Sequence, residues 1–268
     1  MNARAQNALA VAQLMRPDYL SLLTEPDTEA SYTGQTNAGT VAGSTQLLQA
    51  MLNTLQNAGV TEISLGAGAG TWTSSLTQFI QSYTATPIQY VDVHIYPVNG
   101  DYLMNALTAA DMAHAAGKQV ALSAVWDFKV RDSELGVMTL TQTSARDPFS
   151  FWAPVDTAFL QALADYSNYE KVEFISPFWS RYFFAYLDYS AAGSLAEGPV
   201  IIASHNASQA AMLQGSSSST GRAWLRMSLS SPDTIPPAAP MAPTATAVYA
   251  TSVMLTWPPT SDNVGVSA

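Results

Sequence analysis

Apolar β-branched or aromatic runs alternate with helical patterns over residues 1–228, and this alternation constrains the fold more than any other feature of the chain. Strands that are separated by helices pair in parallel, because each crossover returns the chain in the same direction. The sequence therefore predicts an α/β domain, either an open doubly wound sheet or part of a (β/α)₈ barrel. The predicted strands are 19–23, 62–65, 89–95, 119–123 and 171–176.

Three segments predict the helices between these strands. The first helix is expected to end at Gly59, the second to run over about 101–116 and end at Gly117, and the third to begin near Pro154. The residues expected to face the sheet are Leu47, Leu48, Met51, Leu52 and Leu55 in the first helix, Leu103, Leu107, Ala110 and Ala113 in the second, and Val155, Phe159, Leu160 and Leu163 in the third.

The composition changes abruptly after residue 228. Prolines at positions 232, 236, 237, 240 and 243 exclude a helix and predict an extended linker over 229–243. The remainder, 244–268, contains two segments of alternating polarity, 244–249 and 252–257, joined by a short polar turn. This pattern predicts the first hairpin of a β-sandwich.

Charge and composition exclude several classes of partner and cofactor. The 20 acidic and 10 basic side chains give a formal charge of −10, which disfavours nucleic acid and anionic lipid surfaces. The chain has no cysteine, and its three histidines have no metal-ligand spacing, so no metal or cofactor is expected. The sequence has no continuous apolar segment of the kind that would predict membrane insertion or a signal peptide.

The stretch GAGAG at 66–70 lacks a phosphate-loop pattern and is interpreted as a flexible strand-to-helix turn.

Candidate functional residues follow three of the predicted strands. Glu25 follows 19–23, His94 and Tyr96 end 89–95, and Trp179 follows 171–176. His94 and Tyr96 are two positions apart and therefore share a face of their strand. Because the working residues of parallel α/β enzymes lie beyond the carboxyl ends of the strands, these side chains are expected to converge on one cleft.

The segments LLTEPD, DVHIYP, LSAVWDFK and SPFW occur in this order with βα spacing, and together they resemble the clan A glycoside hydrolases. That (β/α)₈ superfamily includes family 5 cellulases and mannanases and family 53 galactanases. The resemblance covers residues 1–228 and implies strands four to eight of the barrel. It implies a retaining enzyme acting on a β-linked polysaccharide or oligosaccharide, with Glu25 as acid/base and with His94, Tyr96, Trp126 and Trp179 in the substrate site.

The resembled site departs from the clan at two positions. The nucleophilic glutamate of the clan corresponds to Ala124, and the asparagine that precedes the acid/base corresponds to Thr24, which could make part of the same contact with substrate. Retaining hydrolysis needs two carboxyl groups about 5–5.5 Å apart, so activity is expected to be impaired and the pKa of Glu25 to be near that of an ordinary glutamate. Asp127 or Glu134 could replace the nucleophile only if the local backbone redirected one of them.

The last thirty or so residues resemble the start of a fibronectin type III domain, with a proline entry, the strand SVMLTW and the turn PTSDNVGVSA. The chain is accordingly expected to be a fragment of a longer secreted bacterial protein that lacks barrel strands one to three. Its five-stranded arc is expected to expose two unpaired edges. Two alternatives are a carbohydrate-binding pseudoenzyme without turnover and an unrelated open α/β binding domain.

Overall fold

The computed structural model describes residues 2–229, 241–248 and 252–256. Internal contacts divide the chain into two compact units, Met1–Ser228 and Leu229–Ala268. The division falls where the composition of the sequence changes.

The first unit alternates helices and strands. In chain order its elements are α1 Asn2–Met15, β1 Tyr19–Leu23, α2 Pro26–Thr33, α3 Val41–Asn57, β2 Ser64–Gly70, α4 Leu76–Thr84, β3 Tyr90–His94, α5 Gly100–Ala115, β4 Gln119–Val125, α6 Leu140–Arg146, α7 Ala153–Glu170, β5 Ile175–Pro177, α8 Tyr189–Ala192, α9 Glu197–Leu213 and α10 Ser219–Leu229. Short 3₁₀ turns cover Thr36–Gly39, Asp132–Glu134, Ser150–Trp152 and Ser180–Phe183. No helix in the described ranges is long and apolar enough to span a membrane.

The five strands pair in parallel, in the order β1-β2-β3-β4-β5. The strands lie in the sheet in the same order as in the chain, so each crossover adds its strand on the same side of the previous one. In a doubly wound sheet, by contrast, the direction in which strands are added reverses at a switch point. The connecting helices therefore cover one face, and the sheet curls away from them. The fold is α/β, with five strands forming the curled half-barrel of a partial (β/α)₈ barrel.

The first and last strands approach each other at their amino ends. Tyr19 Oη, at the start of β1, donates a hydrogen bond to Glu173 Oε2 at 3.0 Å, two residues ahead of β5. The rings of Tyr19 and Phe174 lie 5.0 Å apart, and both rings contact Tyr90 on β3. Strands β1 and β5 do not pair with each other, so both remain unpaired edges of the sheet as expected, and these aromatic side chains lie between their amino ends.

The main hydrophobic core lies between the outer face of the sheet and the helices. All five predicted core residues of α3 are buried: Leu47, Leu48, Met51, Leu52 and Leu55. Gly59 and Gly117 follow α3 and α5 with φ of +72° and +69°, the left-handed conformation expected where a helix stops. Leu103 and Val155 were expected to face the core, but they are 51% and 47% exposed: the buried face of α5 begins at Ala106, and Asp156 takes the inward position in the first turn of α7.

The GAGAG stretch is a strand and not a turn, contrary to the sequence interpretation. It forms the end of β2, pairs with Tyr90–His94 and is buried along its length. Ala67 and Ala69 pack in the outer core, while a Cβ at Gly66 would overlap the Tyr90 ring and one at Gly70 would overlap the Trp72 ring. Glycine is therefore required at these two positions because aromatic rings pack directly against the backbone, although glycine has a low propensity for strands.

In the second unit, β6 Thr244–Val248 and β7 Val253–Thr256 form an antiparallel hairpin. These strands occur where the sequence predicts them. Most of the predicted linker and the predicted fibronectin-like features from Trp257 onward lie outside the described residues. The fibronectin type III assignment therefore stays a prediction.

Candidate functional site

Glu25 lies at the carboxyl end of β1, where the strand turns directly into a helix. It occupies the N-cap position of α2, and Pro26 at the first helical position ends the strand. The Glu25 side chain is 22% exposed, and Thr28, one turn into α2, hydrogen-bonds to it. The strand end thus places a carboxylate at the rim of the barrel, as predicted from the sequence.

His94 connects Glu25 to the inner face of the sheet. His94 Nδ1 lies 2.6 Å from Glu25 Oε1, and its Nε2 lies 2.9 Å from Ser123 Oγ on β4. The imidazole is almost fully buried, so both ring nitrogens depend on these protein partners for hydrogen bonding.

Asp92 anchors the other end of this hydrogen-bond chain. Its carboxylate accepts bonds from Ser123 Oγ at 2.6 Å, from the Ser123 backbone N–H at 2.9 Å and from Ser21 Oγ at 2.5 Å. Ser21 Oγ also lies 2.8 Å from Tyr90 Oη and must accept there, since its only proton is given to Asp92. The chain of contacts spans strands β1, β3 and β4.

The hydrogen-bond directions determine the protonation of His94. Ser123 gives its only hydroxyl proton to Asp92, so at its contact with His94 it accepts from an Nε2–H. A single further proton is then shared between His94 Nδ1 and Glu25. The pair exists either as imidazolium with carboxylate or as neutral imidazole with carboxylic acid.

The pKa values favour the ion pair. Burial would lower the pKa of His94, but hydrogen bonding and charge from Asp92 and Glu25 raise it to about 9. Burial would raise the pKa of Glu25, but the hydrogen bond and charge of His94 outweigh it and bring the pKa below 4.5. The expectation that Glu25 titrates like an ordinary glutamate is therefore wrong, because it did not include the pairing with His94.

The order Ser123, His94, Glu25 has the connectivity of a serine hydrolase triad, but its protons are wrongly placed for that chemistry. A triad histidine must be neutral at Nε2 to accept the serine proton. Here Nε2 donates, and Asp92 already takes the hydroxyl proton. The arrangement supports a fixed ion pair beneath the cleft and not an activated serine.

A cleft of about 660 Å³ opens above Glu25. Among the described residues that line it, Glu25 is the only carboxylate and aromatic side chains predominate. The aromatic residues are Tyr32, Trp72, Tyr96, Tyr102, Phe128, Phe178 and Trp179. The structure therefore brings together three of the predicted site residues, Glu25, Tyr96 and Trp179, in a cleft of the size that small-molecule sites have.

Tyr96 and Trp179 belong to one connected set of rings. Tyr96 lies 5.5 Å from Trp72, 5.9 Å from Phe128 and 6.2 Å from Phe178, measured between ring centres. The Arg181 guanidinium covers one face of Trp179 at 4.3 Å. A sugar that stacks on Trp179 must use the opposite face.

Ala124 lies within an irregular part of β4. Leu122 and Val125 both face the outer core, so the two residues between them depart from strict alternation. Asp92 holds Ser123 on the inner face, and the Ala124 carbonyl accepts from Ile95 N at 3.3 Å. Ala124 is 7% exposed and does not line the cleft, so in this structure its position provides no group opposite Glu25.

Neither alternative nucleophile reaches the cleft. Asp127 is bound to Lys129 at 2.7 Å, and Lys129 also pairs with Asp156. Glu134 forms a two-pronged salt bridge with Arg146, with distances of 2.7 and 3.1 Å. The structure therefore does not support a nucleophilic role for Asp127 or Glu134.

Two residues predicted to bind substrate lie elsewhere. Trp126 is fully buried and packs against Phe159, Tyr182 and Phe183, so it cannot stack on a ligand. Its sequence assignment was wrong because the regular alternation of β4 breaks between Leu122 and Val125. Thr24 is half-buried and does not line the cleft.

Three further residues, Trp72, Phe128 and Thr28, line the cleft and were not predicted from the sequence. Trp72 lies two residues after the end of β2, and its indole N–H donates to Asp27 Oδ2 at 3.0 Å, which fixes the ring in the cleft wall. Had GAGAG been assigned to a strand, the rule that functional residues follow the carboxyl ends of parallel strands would have identified Trp72. Within the described ranges no group of three or more histidine or acidic side chains could hold a metal ion.

No protein-family profile matches the chain, and no curated protein matches it at a significant level. A search of solved structures finds the GH26 β-mannanase BoMan26A from Bacteroides ovatus at 13% identity and a TM-score of 0.32. The match covers 63% of this chain and 44% of that enzyme, so this chain spans less than half the enzyme's length. The likeness is remote, and the fold assignment rests on the strand order and register described above.

Proposed function

We propose that the chain binds a β-linked oligosaccharide or polysaccharide in the Glu25 cleft, as part of a glycoside hydrolase whose hydrolytic activity is impaired. The observation that carries this proposal is the composition of the cleft wall. Among the described residues, seven aromatic side chains and a single carboxylate line a cavity of about 660 Å³. Aromatic faces with a few fixed polar groups suit pyranose rings, which have apolar faces and polar edges.

In this proposal Glu25 is the acid/base, and hydrolysis is slow because a second carboxylate is missing. A retaining mechanism requires an ionised carboxylate to attack the anomeric carbon while a protonated one releases the leaving group. Ala124 can do neither, and loss of a covalent nucleophile removes several powers of ten in rate. The ion pair with His94 further reduces the fraction of Glu25 that is protonated at neutral pH.

Binding without turnover is the expected behaviour of the chain as it is. The test is calorimetric titration with a panel of β-1,4- and β-1,3-linked hexasaccharides of glucose, mannose, xylose and galactose, followed by product analysis after long incubation. We expect saturable binding of at least one member and little or no cleavage. Absence of binding across the panel would reject the carbohydrate proposal, and rapid cleavage would reject the impaired site.

Glu25→Gln provides a matched control for catalysis. The substitution keeps the size of the side chain and removes its proton-donating function. We expect binding within a few-fold of the unmodified chain and complete loss of any residual cleavage. Residual cleavage that survives this change would come from another site or from a contaminant.

A further inference from the structure

We propose that a second sugar subsite adjoins the Glu25 cleft at Trp152 and Arg131, and that it binds an acidic sugar residue, a uronate. The subsite is a depression of about 590 Å³ that shares Phe128 with the wall of the Glu25 cleft. Because one side chain borders both cavities, the two are adjacent, and in this proposal a glycan chain passes Phe128 from the cleft into the depression. The inference deepens the proposed function and rests on it for the identity of the longer ligand.

The charge of the depression contrasts with that of the protein. Only 10 lysine and arginine residues occur in the chain, and Lys129, Arg131 and Arg146 all line this one cavity. Carboxylates neutralise two of the three: Asp127 and Asp156 bind Lys129, and Glu134 binds Arg146. An anionic ligand is therefore directed to the remaining arginine.

Arg131 is the available cation. Its side chain is exposed and forms no salt bridge among the described residues, although its charge also acts on Glu134, which is already bound by Arg146. Its backbone N–H donates to Glu134 Oε2 at 2.9 Å, so the Glu134–Arg146 salt bridge fixes the backbone from which Arg131 extends. A guanidinium with both donor edges available can bind a carboxylate in two-pronged fashion.

Trp152 supplies the stacking surface that distinguishes a sugar site from a simple anion site. Its indole N–H donates to the Arg146 carbonyl oxygen at 3.0 Å, which fixes the plane of the ring, and the side chain is half-buried in the lining. Lys129 Nζ covers one face of the Trp152 ring at 5.9 Å from its centre, and the Phe151 ring packs against it at 5.1 Å, so a sugar must stack on the part of the ring that they leave open. An oriented indole beside an available guanidinium matches the apolar face and the carboxylate of a uronate residue.

The test uses monosaccharide probes, so that it does not depend on occupancy of the Glu25 cleft. Methyl β-D-glucuronide and methyl β-D-glucoside are titrated into the ¹⁵N-labelled full chain, and the Trp152 indole and Arg131 backbone resonances are followed by NMR. We expect the glucuronide to shift both resonances and to bind at least fivefold more tightly than the glucoside. The preference should fall in 0.5 M NaCl, since it depends on charge.

Arg131→Gln should abolish the preference for the glucuronide, whereas Arg222→Gln, at an exposed arginine on α10, should leave it unchanged. Equal affinities for the two probes, or a preference that survives Arg131→Gln, would overturn the inference. A normal preference for glucuronide in a chain that binds no hexasaccharide would instead reject the Glu25 cleft as the principal sugar site. The two proposals can therefore fail separately.

Discussion

The Nδ1 atom of His94 and a carboxylate oxygen of Glu25 lie 2.6 Å apart, and this contact links the third strand to the turn that follows the first. It places a buried ion pair beneath an aromatic cleft. The same contact decides how the site titrates, because His94 can hold its second proton only while Glu25 and Asp92 are ionised.

The stability of the chain should decrease from neutral to alkaline pH. The pKa of His94 is raised from 6.5 to about 9, so its stabilising contribution is fully present below about pH 6.5 and is lost as the pH rises through 9. Burial raises the pKa of Asp147 to about 7, which also makes the folded state less stable as the pH rises from about 4 to 7. Urea unfolding at a series of pH values measures this dependence.

We expect the free energy of unfolding to fall by on the order of 3 kcal/mol between pH 6.5 and 9, since one pKa unit corresponds to about 1.4 kcal/mol. His94→Gln should remove most of this slope and lower stability mainly below pH 7. A flat profile in the unmodified chain would contradict the ion pair between His94 and Glu25.

Ala124→Glu should leave hydrolysis near the level of the unmodified chain. Ala124 does not line the cleft, and Ser123 is the residue of β4 that Asp92 holds on the inner face, so a carboxylate at position 124 does not face Glu25. Rates on an aryl β-glycoside should be equal in Ala124→Glu and in Ala124→Gln, which is the control for size. A rise of at least a hundredfold in Ala124→Glu alone would show that this side chain turns into the cleft and supplies the nucleophile.

Trp179→Ala should weaken oligosaccharide binding by about fivefold or more, since an aromatic stacking contact is worth about 0.5–1.5 kcal/mol beyond the area that it buries. The exposed ring of Tyr169, which lies outside the cleft lining, provides the control. Calorimetry should show unchanged affinity in Tyr169→Ala. A similar loss of affinity in both variants would indicate nonspecific stacking.

Lys129→Met should strongly destabilise the chain. Lys129 Nζ is buried and pairs with Asp127 and Asp156. Its removal leaves Asp156 buried without a counter-charge and leaves Asp127, whose pKa burial raises to about 8, without its hydrogen-bond donor. Breaking such a group typically costs about 3–5 kcal/mol. Asp147→Asn instead removes a nearby negative charge, and it should leave the stability of the folded chain unchanged or raise it at pH 8. Thermal unfolding of the two variants tests this contrast, and an unchanged melting temperature in Lys129→Met would refute it.

Much of the site could be predicted from the sequence because parallel strands place their carboxyl ends at one edge. That rule alone located Glu25, Tyr96 and Trp179, which are far apart in the chain and line one cleft. The same reasoning did not reveal that His94 binds Glu25, because a pattern of alternation gives the face of a residue and not its partner.

The errors have local physical causes. The side chain that faces inward on β4 is chosen by Asp92, which binds both the backbone and the hydroxyl group of Ser123. No feature of a single strand encodes that choice, and Trp126 was assigned to the wrong face because the regular alternation of β4 breaks before it. The glycines of β2 were assigned to a turn because their need for space becomes evident only beside Tyr90 and Trp72.

The most direct test of the central claim is a crystal structure of the chain with a bound β-linked hexasaccharide from the panel. We predict density for intact sugar in the aromatic cleft, with one ring stacked on the face of Trp179 opposite Arg181 and a glycosidic oxygen within hydrogen-bond distance of Glu25. A ligand bound elsewhere, or an empty cleft at saturating concentration, would contradict the account.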